Sequence, residues 1–125
     1  MTARVTLALG ALLMFAAVAL GAFGAHALKA TLTPEMLGVW HTAVQYHAWH
    51  ALGLIGIGLY LQQRPAARGA AAAAWLFVAG IALFSGSLYA LALTGTKGLG
   101  AITPFGGLAL LAGWATFAWA CWRRA

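Results

Sequence analysis

Hydrophobic residues occupy four long stretches of this chain, and the charged residues fall between them. The stretches lie near residues 5–25, 40–61, 70–93 and 101–122. A helix needs about 20 mostly apolar residues to cross a hydrocarbon core about 30 Å thick, and each stretch has that length. The pattern predicts an all-α membrane protein, a four-transmembrane-helix bundle that forms a single domain over residues 1–125.

Capping and turn residues support these helices. Thr33-Pro34 and Thr103-Pro104 each place a hydroxyl that can cap a helix before a proline suited to the first helical position. The second and fourth helices are therefore predicted to begin there. Arg64-Pro65 ends the second helix, and Gly95 opens the third loop. The first stretch is longer than the core of a typical secretory signal, about 7–15 residues, so we expect an uncleaved first helix.

The basic residues predict the orientation of the bundle. Five of the seven flank one side, namely Arg4, Arg64, Arg68, Arg123 and Arg124. Lys29 and Lys97 flank the other side, where Glu35 offsets one of them. Cytoplasmic loops of membrane proteins carry the excess of Lys and Arg. The count therefore predicts that both termini are cytoplasmic, in the inner membrane of a bacterium.

Composition excludes several classes of protein. Apolar residues make up 64 % of the chain and charged residues 6 %, far from the roughly 25 % charged residues of soluble proteins. The basic residues stand singly or in pairs at helix ends, where they attract anionic head groups, so no nucleic-acid binding is predicted. Cys121 is the single cysteine, which excludes an intrachain disulfide and a cysteine metal cage. The predicted partner is the lipid bilayer.

Small residues recur along one face of three predicted helices. Lipid provides no hydrophobic drive between helices, so close contact at small side chains has to hold them together. The stripes are Ala17, Gly21 and Ala25 in the first helix, Ala82, Gly86 and Ala90 in the third, and Gly106 with Gly107 in the fourth. We predict that these stripes pack the helices; the alternative is a surface for a homo-oligomer or a membrane-protein partner.

The densest polar cluster lies in the second helix, within residues 40–50. We place Trp40 near the outer boundary of the membrane. With a rise of about 1.5 Å per residue, His47 then lies roughly 10 Å below that boundary and His50 about 15 Å below it. Polar groups at that depth need partners within the protein or cavity water. One face of the helix carries Tyr46, His47 and His50, and the other His41 and Gln45.

The third helix carries polar residues at matching depths and runs in the opposite direction. Ser85 and Tyr89 share one of its faces and can exchange hydrogen bonds with imidazole or with the Gln45 amide. His26 and Thr103 add polar groups at the same end of the bundle. The candidate binding or helix-locking cluster therefore comprises His26, Gln45, Tyr46, His47, His50, Ser85, Ser87 and Tyr89.

Several functions are open to this cluster. A metal or haem bound by neutral imidazoles alone would leave its charge uncompensated at low dielectric, so neither a metal nor a cofactor is predicted. Catalysis by a Ser–His pair lacks an acidic orienting group, so no enzyme is predicted, and transport would need oligomers to enclose a path. Binding of a small amphiphile, such as a quinone or lipid head group, suits a mostly apolar site with few polar groups. The preferred hypothesis is a structural or accessory bundle, held together or docked to a partner by its polar network.

Four ordered motifs support a family assignment. They are GAFGAHAL at 21–28, WHTAVQYHAWHAL at 40–52, FSGSLY at 84–89, and ITPFGG at 102–107 followed by Gly113-Trp114. In this order and spacing the chain resembles the bacterial inner-membrane family known as domain of unknown function 423, which has small eukaryotic transmembrane relatives. The resemblance implies four membrane helices and no established activity.

Overall fold

The computed structural model describes residues 1–123, and its regular secondary structure over that range is entirely helical. The helices are α1 (Ala3–His26), α2 (Pro34–Gln63), α3 (Arg68–Gly80), α4 (Gly86–Thr94) and α5 (Thr103–Trp122). A π-helical turn, Ile81–Ser85, joins α3 to α4 in one continuous rod, so the described residues form four rods. The prediction of an all-helical fold is confirmed.

Local chemistry explains where α2 begins and ends. The Thr33 hydroxyl accepts a hydrogen bond from the Met36 amide at 3.2 Å, and Pro34 occupies the first turn. The helix therefore starts earlier than the apolar stretch near residue 40, because its cap and not its hydropathy decides the first turn. It ends at Gln63, directly before Arg64-Pro65.

The other predicted signals have different outcomes. Gly95 ends α4 with a φ of 68°, a left-handed conformation that glycine adopts at little cost. The prediction that Thr103 caps α5 is wrong. That helix begins at Thr103 itself, without a side-chain cap, and the Thr103 hydroxyl lies 2.6 Å from the hydroxyl of Ser87. The Thr103 hydroxyl therefore makes a hydrogen bond to another helix and does not cap its own helix.

Helix α2 lies between α1 and the α3–α4 rod, and successive rods run antiparallel. Glycines bring α1 close to α2. A Cβ atom added at Gly10 would lie 2.8 Å from Cγ1 of Ile55, and one added at Gly24 would lie 2.5 Å from the indole nitrogen of Trp40. Ala17 lies between these glycines and is buried. The residues of α1 that contact α2 therefore recur every seven positions.

Helix α5 packs along α3 and the π turn. A Cβ atom at Gly113 would lie 2.5 Å from the Phe77 ring, and Gly80 faces Leu110. Gly106 lies against the main chain of Leu83 and Phe84. The predicted use of Gly106 for close contact is therefore confirmed.

The predicted stripe of Ala82, Gly86 and Ala90 is wrong as a packing face. Ala82 is exposed, and a Cβ added at Gly86 would meet nothing within 4 Å. These two residues lie on one side of the rod, and that side faces away from the neighbouring helices. Between them a π turn interrupts the helix, and the Gly86 amide donates to the Ile81 carbonyl five residues back.

The two ends of the bundle differ in charge, and we name them by it. The arginine end carries Arg4, Arg64, Arg68 and Arg123, and the lysine end carries the loops with Lys29 and Lys97. The largest buried apolar cluster extends toward the arginine end and includes Leu54, Leu61 and Phe77.

Among the residues that the structure describes, three segments are long and apolar enough to cross a membrane, namely Ala3–Ala30, Arg68–Thr94 and Lys97–Trp122. Large apolar side chains such as Phe15, Leu111 and Trp122 point outward from them, as expected of a surface in contact with lipid. Helix α2 has 30 residues but is not among these spans. Its histidines and glutamine lower its mean hydropathy, so length and composition alone support three of the four predicted crossings.

Gly106→Ala is predicted to destabilise the bundle. The new methyl carbon would lie 2.7 Å from Cα of Phe84, and the main chain there has no flexible end that can move aside. Overpacking of this kind costs about 1–3 kcal/mol. The measurement is the free energy of unfolding in detergent.

Gly107→Ala is the matched control, because its added methyl would meet the Phe84 ring at 3.7 Å, an ordinary contact. Both variants gain the same intrinsic helix propensity. Equal stability of the two variants would contradict the close approach of α5 to the π turn.

Candidate functional site

Trp40 joins α2 to α1. Its indole nitrogen donates a hydrogen bond to the Leu20 carbonyl at 2.9 Å, and its ring lies 4.7 Å from the ring of Tyr89. The indole fits here because Gly24 has no side chain. Trp40 is 2 % exposed, so this residue is a buried bridge between helices.

His47 joins α2 to α4. Its Nδ1 atom lies 2.9 Å from the hydroxyl of Tyr89, which can donate or accept. The Nε2 atom of His47 is buried and has no hydrogen-bond partner, although the main chain of Leu13 in α1 approaches the ring. One polar atom of the site is therefore left unsatisfied.

His50 joins α2 to α5, and its two partners fix its tautomer. The Nδ1 atom lies 2.6 Å from the Tyr46 carbonyl, which only accepts, so Nδ1 carries the proton. The indole nitrogen of Trp114 lies 3.0 Å from Nε2 and only donates, so Nε2 bears the lone pair. The ring is neutral in this arrangement, and both of its nitrogens are occupied.

The two buried serines face different helices because the π turn and α4 place them on opposite sides of their rod. Ser85 donates to the Ala43 carbonyl of α2 at 2.7 Å. Ser87 donates to the Phe84 carbonyl at 3.0 Å, and its oxygen lies 2.6 Å from that of Thr103. Since Ser87 has one proton, Thr103 is the donor to Ser87. This pair joins α4 to α5.

We call this set of side chains the polar seam. It consists of Trp40, His47, His50, Ser85, Ser87, Tyr89, Thr103 and Trp114. Of the residues predicted for the site, Tyr46 contributes its carbonyl, while its ring packs 4.5 Å from that of Phe84. His26 and Gln45 are exposed and lie outside the seam. Gln45 precedes His47 by two positions and therefore points away from it around the helix.

Trp114 is the principal residue that the site prediction missed. A depth argument identifies it, since it lies about 16 Å along α5 from Thr103 at 1.5 Å per residue. That matches the depth of about 15 Å expected for His50. The Gly113-Trp114 motif by itself does not indicate that this indole donates a hydrogen bond to a histidine of the second helix.

The chemistry available to the seam is limited by its hydrogen bonds. The hydroxyls of Ser85 and Ser87 donate to main-chain carbonyls and not to an imidazole. Within residues 1–123, no group of three or more His, Cys, Asp or Glu side chains comes together. Clefts of about 450 and 250 Å³ lie elsewhere, toward the arginine end, and no residue of the seam lines either of them.

Comparison with known proteins gives the chain a family context. A family model described as "Protein of unknown function (DUF423)" matches residues 20–107. The UPF0382 membrane protein YwdK of Bacillus subtilis is 48 % identical over 111 residues, which cover 89 % of this chain and 90 % of that protein. The UPF0382 inner membrane protein YgdD of Escherichia coli K12 is 41 % identical over 121 residues, covering 92 % of this chain and 87 % of that protein.

A third relative comes from Staphylococcus haemolyticus. This UPF0382 membrane protein, SH2409, is 48 % identical over 106 residues and 85 % of each chain is covered. No solved structure matches the chain. The matches confirm the family that the four sequence motifs indicate.

Proposed function

The chain belongs to the family of unknown function DUF423, and from that premise we propose that it is a structural or accessory protein of the bacterial inner membrane. Its polar seam locks four membrane-crossing helices into one arrangement. In this proposal the seam neither catalyses a reaction nor holds a cofactor. The protein acts through its bundle, and any partner docks on that bundle.

The observation that supports the proposal most directly is the pair of hydrogen bonds made by the His50 ring. Both ring nitrogens are bound, one by the main chain of α2 and one by Trp114 of α5. A histidine that binds a metal or polar ligand needs a free ring nitrogen, and His50 has none. The Nε2 bond joins α2 to α5 and the Nδ1 bond lies within α2, so neither ring nitrogen of His50 is free to bind a substrate.

A second candidate function rests on His47. Its Nε2 atom is buried and unpartnered, and buried polar atoms in native structures seldom lack a partner. The head of a quinone or another small amphiphile would satisfy this atom. The alternative of an amphiphile-binding module therefore depends on His47 and not on His50.

The orientation that we propose has four crossings and both termini in the cytoplasm. Helix α2 runs antiparallel along α1, from Gly24–Trp40 to Gly10–Ile55, and its polar residues His47 and His50 are turned into the protein. At about 1.5 Å per residue its 30 residues exceed a hydrocarbon thickness of about 30 Å. The arginine end carries more basic residues than the lysine end, which favours a cytoplasmic arginine end. Arg124, the fifth residue in that count, lies outside the described residues.

A topology reporter tests the fourth crossing. Alkaline phosphatase, which is active only in the periplasm, should be inactive when fused after Ala125 and active when inserted at Thr31. If α2 does not cross, three spans place the two termini on opposite sides. Phosphatase activity at both positions would then contradict the proposed orientation.

Trp114→Phe tests the lock itself. The substitution keeps an aromatic ring but removes the donor to His50, so the free energy of unfolding in detergent should fall by about 0.6 kcal/mol, and by no more than about 2 kcal/mol. Trp75→Phe is the matched control, because Trp75 is 58 % exposed and should leave stability unchanged.

The same preparations distinguish the two candidate functions. Under the structural proposal, His50→Ala melts at a lower temperature than the wild type, and mass spectrometry of the purified wild type finds no stoichiometric amphiphile that His47→Ala removes. A bound quinone or lipid that His47→Ala removes without loss of stability would instead establish the binding module.

A further inference from the structure

The arginine end has positive charge without an Asp or Glu side chain to balance it. Arg4, Arg64, Arg68 and Arg123 all lie there. The one acidic side chain of the whole sequence is Glu35, in the first turn of α2 at the lysine end. The length of α2, about 45 Å at 1.5 Å per residue, separates the two. No Asp or Glu side chain therefore lies at the arginine end to balance its charge.

A cleft at this end brings two of the arginines together. It measures about 250 Å³ and lies between the α2–α3 loop and the last turn of α5. Arg68, Arg123 and Trp119 line it, together with four small residues, Ala66, Ala67, Gly69 and Ala120. The guanidinium of Arg123 stands 4.6 Å over the Trp119 ring. Stacking on the indole orients that guanidinium while leaving its N–H donors in its plane available.

An apolar groove lies beside the cleft, along α5. The groove is lined by Ala115, Ala118, Trp119 and Trp122 and has a volume of about 450 Å³. Trp119 lines both spaces. From the charged cleft, the groove runs along the apolar span Lys97–Trp122. A molecule that fits both spaces has an anionic head and a hydrocarbon tail.

We propose that this cleft and groove bind one anionic phospholipid, with the phosphate held by Arg68 and Arg123 and an acyl chain along the groove. Arginine forks match phosphate oxygens in geometry and charge, and basic pockets between membrane helices bind such head groups. The indole of Trp119 marks the boundary between head group and chain, where tryptophan is enriched in membrane proteins. The site depends on the spans that contain α3 and α5 and is independent of the role of the polar seam.

The test compares two double variants with equal loss of charge. Arg68→Gln with Arg123→Gln removes the cleft arginines. Arg4→Gln with Arg64→Gln removes two from the same end that do not line the cleft. All four side chains are exposed, so both variants keep the packed core. Each protein, in neutral detergent, is titrated with dihexanoyl phosphatidylglycerol, dihexanoyl phosphatidylcholine or inorganic phosphate. Binding is followed by native mass spectrometry and by the shift in Tm.

The wild type and the Arg4/Arg64 variant should bind one phosphatidylglycerol in preference to phosphatidylcholine. The cleft variant should bind it about tenfold or more weakly, since two charge-assisted contacts are lost. Equal loss in both double variants would show attraction to net charge alone and overturn the site. Equal binding of phosphatidylcholine would also overturn it. A Tm shift reproduced by inorganic phosphate at the same concentration would assign the cleft to free phosphate and overturn the lipid.

Discussion

Hydrocarbon offers no partner to a polar group, and the half of the bundle toward the lysine end is organised by this constraint. Five hydrogen bonds of the polar seam cross from one rod to another, and two, from His50 to Tyr46 and from Ser87 to Phe84, stay within a rod. Trp40 binds the main chain of α1, His47 binds Tyr89 of α4, and His50 receives a bond from Trp114 of α5. Displacement of one rod would therefore leave polar atoms on the neighbouring rods without hydrogen-bond partners. Each interhelical hydrogen bond in a membrane stabilises the folded state by only about 0.6 kcal/mol on average. The main effect of these bonds here is therefore to favour one register of the helices over others.

The other half of the bundle is held by close packing, and Phe77 connects the two halves. Its ring occupies a notch formed by Gly53 and Gly113, where added Cβ atoms would lie 2.7 Å and 2.5 Å from it. The centroid of the same ring lies 5.1 Å from that of the His50 ring, with the two planes nearly perpendicular, and 4.8 Å from that of the Trp114 ring. The hydrogen-bonded pair of His50 and Trp114 therefore rests on an apolar residue that two glycines position. Close packing and polar hydrogen bonding therefore meet around Phe77.

Sequence reasoning predicted the features that depend on local or periodic signals. The cap at Thr33, the break at Arg64-Pro65 and the turn at Gly95 are set by neighbouring residues. The contact between His47 and Tyr89 agrees with the matching depths predicted for the polar residues of the two antiparallel helices. The π turn escaped prediction because it has no characteristic amino-acid composition. Thr103 escaped because a tertiary hydrogen bond replaced a local one. Trp114 required depths to be compared across all four helices.

The state of the His50 ring tests the central claim most directly, and nitrogen-15 NMR of histidine-labelled protein in detergent or bilayers reports it. The account predicts a single neutral tautomer for His50, with the proton on Nδ1 and a hydrogen-bonded lone pair on Nε2. The Nε2 resonance should shift in Trp114→Phe. A proton on Nε2, or exchange between the two tautomers, would contradict a seam in which His50 is locked between α2 and α5.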